Sequence, residues 1–335
     1  MEYRLLGNTL LKVSLMGFGG IPIQRVSSAE AERIINVAVE QGINFIDTAR
    51  AYTDSESKIG LALKDKRDKV VLATKSMSRS KEKMQEDIDA SLSNLATDYI
   101  DLYQCHNIKT HEELDRVMAP GGAMEALEDA KKAGKIGHIG VTGHIITALQ
   151  EIIETQRFAT LQVPYNFIER GPEELLLPTA RKLGMGIIIM KPLAGGAYSR
   201  PDLALRFLLQ KDITTIIPGV DCCEQVIQNS DLAKARQPLT ESEVEYLTKE
   251  ANEVGNRFCR RCEYCKPCPQ GVDIPTCFLV EGYYTRYNLT DWAKQRYEGL
   301  SVKADACIEC GICETRCPYN LPIREMLQNV HRYLG

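Results

Sequence analysis

Up to about residue 231 the chain alternates between two spacings of apolar residues. Short runs at Val13–Phe18, Asn44–Thr48, Lys69–Thr74, Ile100–Cys105, Ile136–Val141, Ala159–Val163, Gly186–Met190 and Thr214–Pro218 have the length and β-branched content of strands. Each is followed by a segment with helical spacing: Ala29–Gln41, Glu56–Lys64, Lys81–Ala96, Ala123–Ala133, Thr147–Glu154, Glu173–Leu183, Pro201–Leu209 and Cys223–Asp231. Some runs, such as Ile187-Ile188-Ile189, are apolar at every position, which predicts strands buried on both faces in a parallel sheet covered by helices. Eight strand–helix units over roughly 220 residues predict an α/β fold, a (β/α)8 TIM barrel. The alternative, an open doubly wound sheet, lacks its usual fingerprint, since Gly17-Phe18-Gly19-Gly20 is not G-x-G-x-x-G. A Gly7-Asn8 turn between the extended pieces of Tyr3–Lys12 predicts a hairpin ahead of the first barrel strand.

Near Gly255 the pattern breaks. The remaining residues carry helical patches at Thr290–Leu300 and Ile323–Tyr333, placed between and after two groups of cysteines. This divides the chain into a barrel over 1–254 and a small, mainly α-helical domain over 255–335. Of twelve cysteines, only Cys105, Cys222 and Cys223 precede residue 255. A disulfide scaffold would not leave so long a stretch nearly free of cysteine, so the cluster reads as a ligand set.

The second group, Cys307, Cys310, Cys313 and Cys317 followed by Pro318, has the spacing of bacterial ferredoxins. The first, Cys259, Cys262, Cys265 and Cys268 followed by Pro269, is one residue shorter before its last cysteine. That spacing predicts two 4Fe–4S clusters with crossed ligation: Cys259, Cys262 and Cys265 with Cys317, and Cys307, Cys310 and Cys313 with Cys268. Cys277 is an alternative to Cys268. Zinc sites of four cysteines present two C-x2-4-C pairs instead of two runs ending in Cys-Pro. Cys105 reads as core, and Cys222-Cys223 as a helix start. The net charge of −4 with no basic stripe excludes nucleic acid as an expected partner. No apolar run is long enough to span a bilayer, and the N-terminus reads as no export signal, so a cytoplasmic location is expected.

In a (β/α)8 barrel, chemistry gathers at the C-terminal strand ends. Asp47 ends the second expected strand, Lys75 the third and His106 the fourth, and Tyr52 follows Asp47 in its loop. An ammonium beside a tyrosine favours phenolate, which makes Tyr52 a proton donor to a carbonyl oxygen. Asp47 would hold Lys75, and His106 would orient the oxygen. A lone strand-end ion pair is ordinarily structural, but four such residues on neighbouring strands point to a site.

At these residues, in the Gly42–Ala49 stretch and in the hairpin Leu6–Thr9, the chain resembles the aldo-keto reductase family over about residues 1–231. It resembles in particular a subgroup with a C-terminal ferredoxin-like domain. The resemblance implies oxidoreductase activity on CH–OH and C=O groups with a nicotinamide cofactor. It assigns Thr142 and Gln162 to the carboxamide, Met190 to the face of the ring, Lys191 and Leu193 to the pyrophosphate loop, Gly219 and Gln225 to the ribose end and Asn229 to the adenine. Gly143 stands where the family has asparagine. Gly219 and Gln225 replace a lysine and an arginine, and Asp221 and Glu224 lie close by, so NADH is expected over NADPH. The expected partners are a small carbonyl or alcohol substrate and an electron-transfer protein. Hydride moves two electrons and each cluster one. A flavin would bridge that mismatch, although no flavin motif is legible. An electron-transfer subunit with an idle barrel, or a plain reductase braced by clusters, are the alternative readings.

Overall fold

The computed structural model describes residues 1–335. An antiparallel hairpin, β1 (Tyr3–Leu5) and β2 (Lys12–Ser14), pairs Tyr3 with Ser14. Its turn passes through Gly7 at φ +58°, where a Cβ would fall 2.3 Å from the Gly186 nitrogen. Only glycine meets both demands. Eight strands then follow: β3 (Phe18–Gly19), β4 (Phe45–Asp47), β5 (Val71–Ser76), β6 (Ile100–Cys105), β7 (Ile136–Thr142), β8 (Thr160–Pro164), β9 (Gly186–Met190) and β10 (Thr215–Ile217). Parallel ladders join them in chain order, and bridges Met16–Ile216 and Gly19–Gly219 bring the first and last together. The sheet is the barrel that the alternating pattern predicts. Leu6 and Val13 of the hairpin pack with Phe45, Val71, Ala73, Leu102, Ile188 and Ile217 in its interior.

One expectation needs correction. The run Val13–Phe18 is not one strand. It changes partner midway: its start pairs with β1, while the Ser14 N–H donates to the Asn44 side chain at 2.6 Å and the Gly17 N–H to the Ile216 carbonyl at 2.7 Å. A hydrophobic run does not mark where its partner changes. Within Ile108–Gly122, residues His111–Met118 form a helix whose Thr110 cap accepts from the Glu113 N–H.

The chain separates into two compact units. The first is Met1–Asn166, Arg170–Pro192 and Asp202–Leu239; the second is Phe167–Glu169, Leu193–Pro201 and Thr240–Gly335. The expected boundary at residues 254 and 255 falls at the end of helix Glu241–Gly255, which starts with a Thr240/Glu243 capping box. The second unit also holds helices Ile274–Thr285, Thr290–Glu298, Ile312–Arg316 and Ile323–Leu334 around Cys277, Phe278, Tyr297, Leu327 and Val330. No helix of the chain is long and apolar enough to cross a membrane.

Candidate active site and cysteine centre

Asp47 is the last residue of β4, and Lys75 lies near the end of β5, its neighbour in the sheet. Lys75 Nζ donates to Asp47 Oδ2 at 2.6 Å and to the Thr48 carbonyl at 2.7 Å. Both side chains are buried. Burial pushes the Asp47 carboxyl up and the Lys75 ammonium down from their ordinary values, and the contact between them opposes both shifts. Lys75 Nζ lies 5.2 Å from the centroid of the Tyr52 ring, and that ring meets His106 edge-on at 6.2 Å between centroids. The four residues thus come together at one end of the barrel.

Two further polar residues were not picked out from the sequence. Gln104 Nε2 donates to Asp47 Oδ1 at 3.3 Å and to Gln162 Oε1 at 2.9 Å. An amide in the otherwise apolar end of Ile100–Cys105, in register with Lys75, was the available signal. Glu56 is buried and accepts from Arg50 at 2.7 Å and from Thr74 and Ser91 at 2.8 Å each. It holds Arg50 in the segment that carries Tyr52, and the Ser55 hydroxyl fixes the same segment to the Gly20 carbonyl at 2.9 Å.

At the expected nicotinamide positions, Thr142 is buried and its Oγ1 accepts from the Asn107 N–H at 2.8 Å, which leaves its own proton to donate. The Gln162 amide nitrogen faces Met190 Sδ at 3.8 Å, a weak acceptor that a carboxamide oxygen could replace. These donors fit the ring end of a nicotinamide. Gly143 has no room for the family's asparagine, because a Cβ there would lie 2.9 Å from both the Ile108 carbonyl and Leu149. Lys191, at φ +54°, turns the chain after β9 and accepts from Asn166 Nδ2 at 3.0 Å; Leu193 falls in the second unit. Gly219 and Asp221 follow β10, Gln225 lies on helix Cys223–Ala235, and Asn229 is buried on the same helix. Arg25, from the turn after β3, contacts Asp221 Oδ2 at 2.5 Å. Cys105 is core, its thiol pushed up to about 12 by burial.

The second unit contains an internal repeat longer than the cysteine runs. In the first run Arg261 and Glu263 have φ of +59° and +65°; the matching Glu309 and Gly311 of the second have +56° and +74°. Each run ends in a turn, from the Gly271 N–H to the Cys268 carbonyl at 2.9 Å and from the Asn320 N–H to the Cys317 carbonyl at 3.2 Å. Each then enters a twelve-residue helix, Ile274–Thr285 or Ile323–Leu334. Tyr284 and Tyr333 hold the same place in the two helices and stack at 5.9 Å.

Cys259, Cys262, Cys265 and Cys317 line one small cavity, walled by Ile274, Phe278, Tyr319 and Leu321 among others. The Arg261 N–H donates to Cys259 Sγ at 3.4 Å. Burial, then the neighbouring thiols Cys259 and Cys262, pushes Cys265 up to about 12. Thiols that raise one another in an apolar cavity suit a cationic iron–sulfur occupant, which reverses that repulsion. Nowhere do three or more His, Cys, Asp or Glu side chains converge closely enough for a single metal ion. A cubane takes one thiolate at each of its four irons, so its ligands stand farther apart than those of a single ion. Cys307, Cys313 and Cys268 pack against or within the same core, and Cys310 is exposed. Cys277 is fully buried inside helix Ile274–Thr285, at the place that Met326 takes in the repeat.

The chain thus combines a parallel strand–helix barrel carrying an ionisable strand-end site with a unit built on two cysteine runs. Residues 15–202 match the model of the Aldo/keto reductase family and residues 258–322 that of the 4Fe-4S dicluster domain. The chain belongs to the aldo/keto reductase family and is an oxidoreductase. An uncharacterized oxidoreductase of Bacillus subtilis is 28% identical over 301 residues, 74% of this chain and 95% of that protein. L-galactose dehydrogenase of Arabidopsis thaliana is 34% identical over 215 residues, 58% of this chain and 66% of that one. Among solved structures, the holo form of an aldo-keto reductase from Bacillus halodurans has a TM-score of 0.66 at 28% identity, over 75% of this chain and 96% of that one. An aldo-keto reductase from Klebsiella pneumoniae in complex with NADPH has the same fold, with a TM-score of 0.64 at 24% identity over 74% and 95%.

Proposed function

We propose that the protein reduces a small carbonyl, or oxidises the matching alcohol, at Tyr52, Asp47, Lys75 and His106, and exchanges electrons through two 4Fe–4S clusters held by Cys259, Cys262, Cys265 with Cys317 and by Cys307, Cys310, Cys313 with Cys268. The observation that carries this reading is the arrangement of Tyr52 and His106 beside the buried Asp47–Lys75 pair. A bound nicotinamide would supply the hydride; the clusters would carry single electrons to or from a partner protein, and a flavin would be needed to convert hydride into single electrons. The chain's own residues do the rest. Thr142 and Gln162 orient the carboxamide. Tyr52 gives its phenol proton to the carbonyl oxygen as negative charge develops there. Lys75 favours the phenolate left behind, Asp47 fixes the lysine, and His106 sets the direction of the oxygen. NADH is the nucleotide this reading favours, since Gln225 supplies no charge for a 2′-phosphate.

The test begins with anaerobic purification, which should yield about eight irons and eight labile sulfides per chain. Tyr52→Phe should then lower carbonyl turnover by roughly 10²–10⁴-fold with the cluster absorption unchanged. Wild-type turnover in that variant would remove the tetrad from the mechanism, and stoichiometric zinc without sulfide would remove the clusters.

A further inference from the structure

The ribose end of the expected nucleotide site carries a charge pair that joins the first and last strands of the barrel. Arg25 closes the turn Pro22–Arg25 that follows β3, and its Nε and Nη2 both reach Asp221 Oδ2 at 2.5 Å. The turn sits directly on the end of β10: a Cβ on Gly219 would meet Pro22 Cγ at 2.7 Å. Gln225 does not extend past this point, because its Oε1 accepts the Asp221 N–H at 3.0 Å. Both members of the ion pair keep about a fifth to a quarter of their side chains exposed, 24% for Arg25 and 21% for Asp221, so a ligand can reach them.

From this geometry, and resting on the nicotinamide reading above, we infer that Arg25 is the residue that decides between NADH and NADPH, with Asp221 as its counterweight. A guanidinium binds phosphate oxygens through a rigid fork and is the side chain best suited to a 2′-phosphate. Here the fork is directed at a carboxylate of the same chain. While Asp221 remains an anion, a 2′-phosphate has to compete with it for Arg25 and is repelled by it. A free 2′-hydroxyl faces no such competition, and the carboxylate can accept from it. Neutralising Asp221 removes the repulsion and loosens the hold on the guanidinium in a single step. The cation that the family supplies from the end of its eighth strand is thus supplied by the turn after the first.

The experiment titrates NADH and NADPH by calorimetry into the full chain, purified anaerobically with its clusters, as wild type, Asp221→Asn and the double variant Asp221→Asn/Arg25→Ala. Asp221→Asn should shift the ratio of the two affinities toward NADPH by about tenfold or more, about 1.4 kcal/mol. The double variant should lose that shift while still binding NADH. A ratio unmoved in Asp221→Asn, or a shift that survives the loss of Arg25, overturns the inference and leaves the nicotinamide reading standing. Failure of the wild type to bind either nucleotide overturns that reading, and this inference with it.

Discussion

The barrel site and the cysteine unit meet opposite electrostatic demands. In the barrel, a buried carboxylate and a buried ammonium compensate each other at 2.6 Å, and Gln104 and the Thr48 carbonyl take up much of the remaining hydrogen-bonding capacity. The site is complete in charge before any ligand arrives. In the cysteine unit the thiols are each other's problem. Burial and then Cys262 and Cys317, against the help of Arg261, leave Cys259 above its ordinary value. As free thiols these groups stay protonated and neutral, and as thiolates they need a cationic occupant to offset their charge. The lesson is that the two regions should depend on their cofactors to very different degrees, even though both are built from buried titratable groups.

Removing iron is the sharpest way to break this comparison. A group that binds only the native state stabilises it by mass action, and its loss returns that energy. Chelation under anaerobic conditions should therefore speed amide hydrogen exchange in helices Ile274–Thr285 and Ile323–Leu334 by about a hundredfold or more, about 2.7 kcal/mol. Strands β4 to β8 should keep their protection. Loss of protection in both regions together would show that the barrel, too, leans on the clusters.

The reverse experiment breaks the barrel's internal balance. Asp47→Asn leaves Lys75 buried with only neutral acceptors, such as the Thr48 carbonyl, in place of the carboxylate, and such losses cost about 3–5 kcal/mol. The cost should depend on pH in a defined sense. Burial already lowers Lys75, and without Asp47 it falls further. The folded variant then holds fewer protons than the unfolded chain until the pH passes the ordinary lysine value of about 10.4. Stability rises with pH wherever the unfolded state binds more protons. The deficit relative to wild type, read from denaturant titrations, should therefore shrink from pH 7 toward pH 10. A deficit that stays flat or grows over this range would mean that Lys75 stays charged in the variant.

The same contrast explains what could be read from the sequence. The cysteine runs and strand ends are local patterns: three or four residues at fixed spacing, or one polar residue where an apolar run stops. The pairing of Arg25 with Asp221 spans 196 positions, and nothing near either residue announces it. The repeat in the cysteine unit was legible only at its cysteines. Helix Ile274–Thr285 carries Ile274, Cys277, Phe278, Val280 and Gly282 buried around several sides, so it shows no apolar stripe to distinguish it from a buried strand. Its partner Ile323–Leu334 buries Ile323, Leu327, Val330 and Leu334 on one face, and there the helical period was visible. Likewise Val13–Phe18 looked like one strand because hydrophobicity records burial and not the identity of the neighbour.

The smallest expected effect tests the repeat itself. If the two halves of the cysteine unit are structural equivalents, the Tyr284–Tyr333 contact is a self-paired one, with matching positions of the two helices facing each other. Tyr333 is 41% exposed, so truncating it loses little burial, and the stacking term dominates. Aromatic pairs of this kind contribute about 0.5–1.5 kcal/mol beyond area. Tyr333→Ala and Tyr284→Ala should each destabilise the second unit by about that amount. The double variant should cost less than the sum of the two, because the second truncation removes a contact already lost. Denaturant titration of the cluster-loaded protein, followed at the cluster absorption, separates the outcomes. Additive costs would mean that the two rings lie side by side without holding the halves together, and the repeat would then be one of backbone alone.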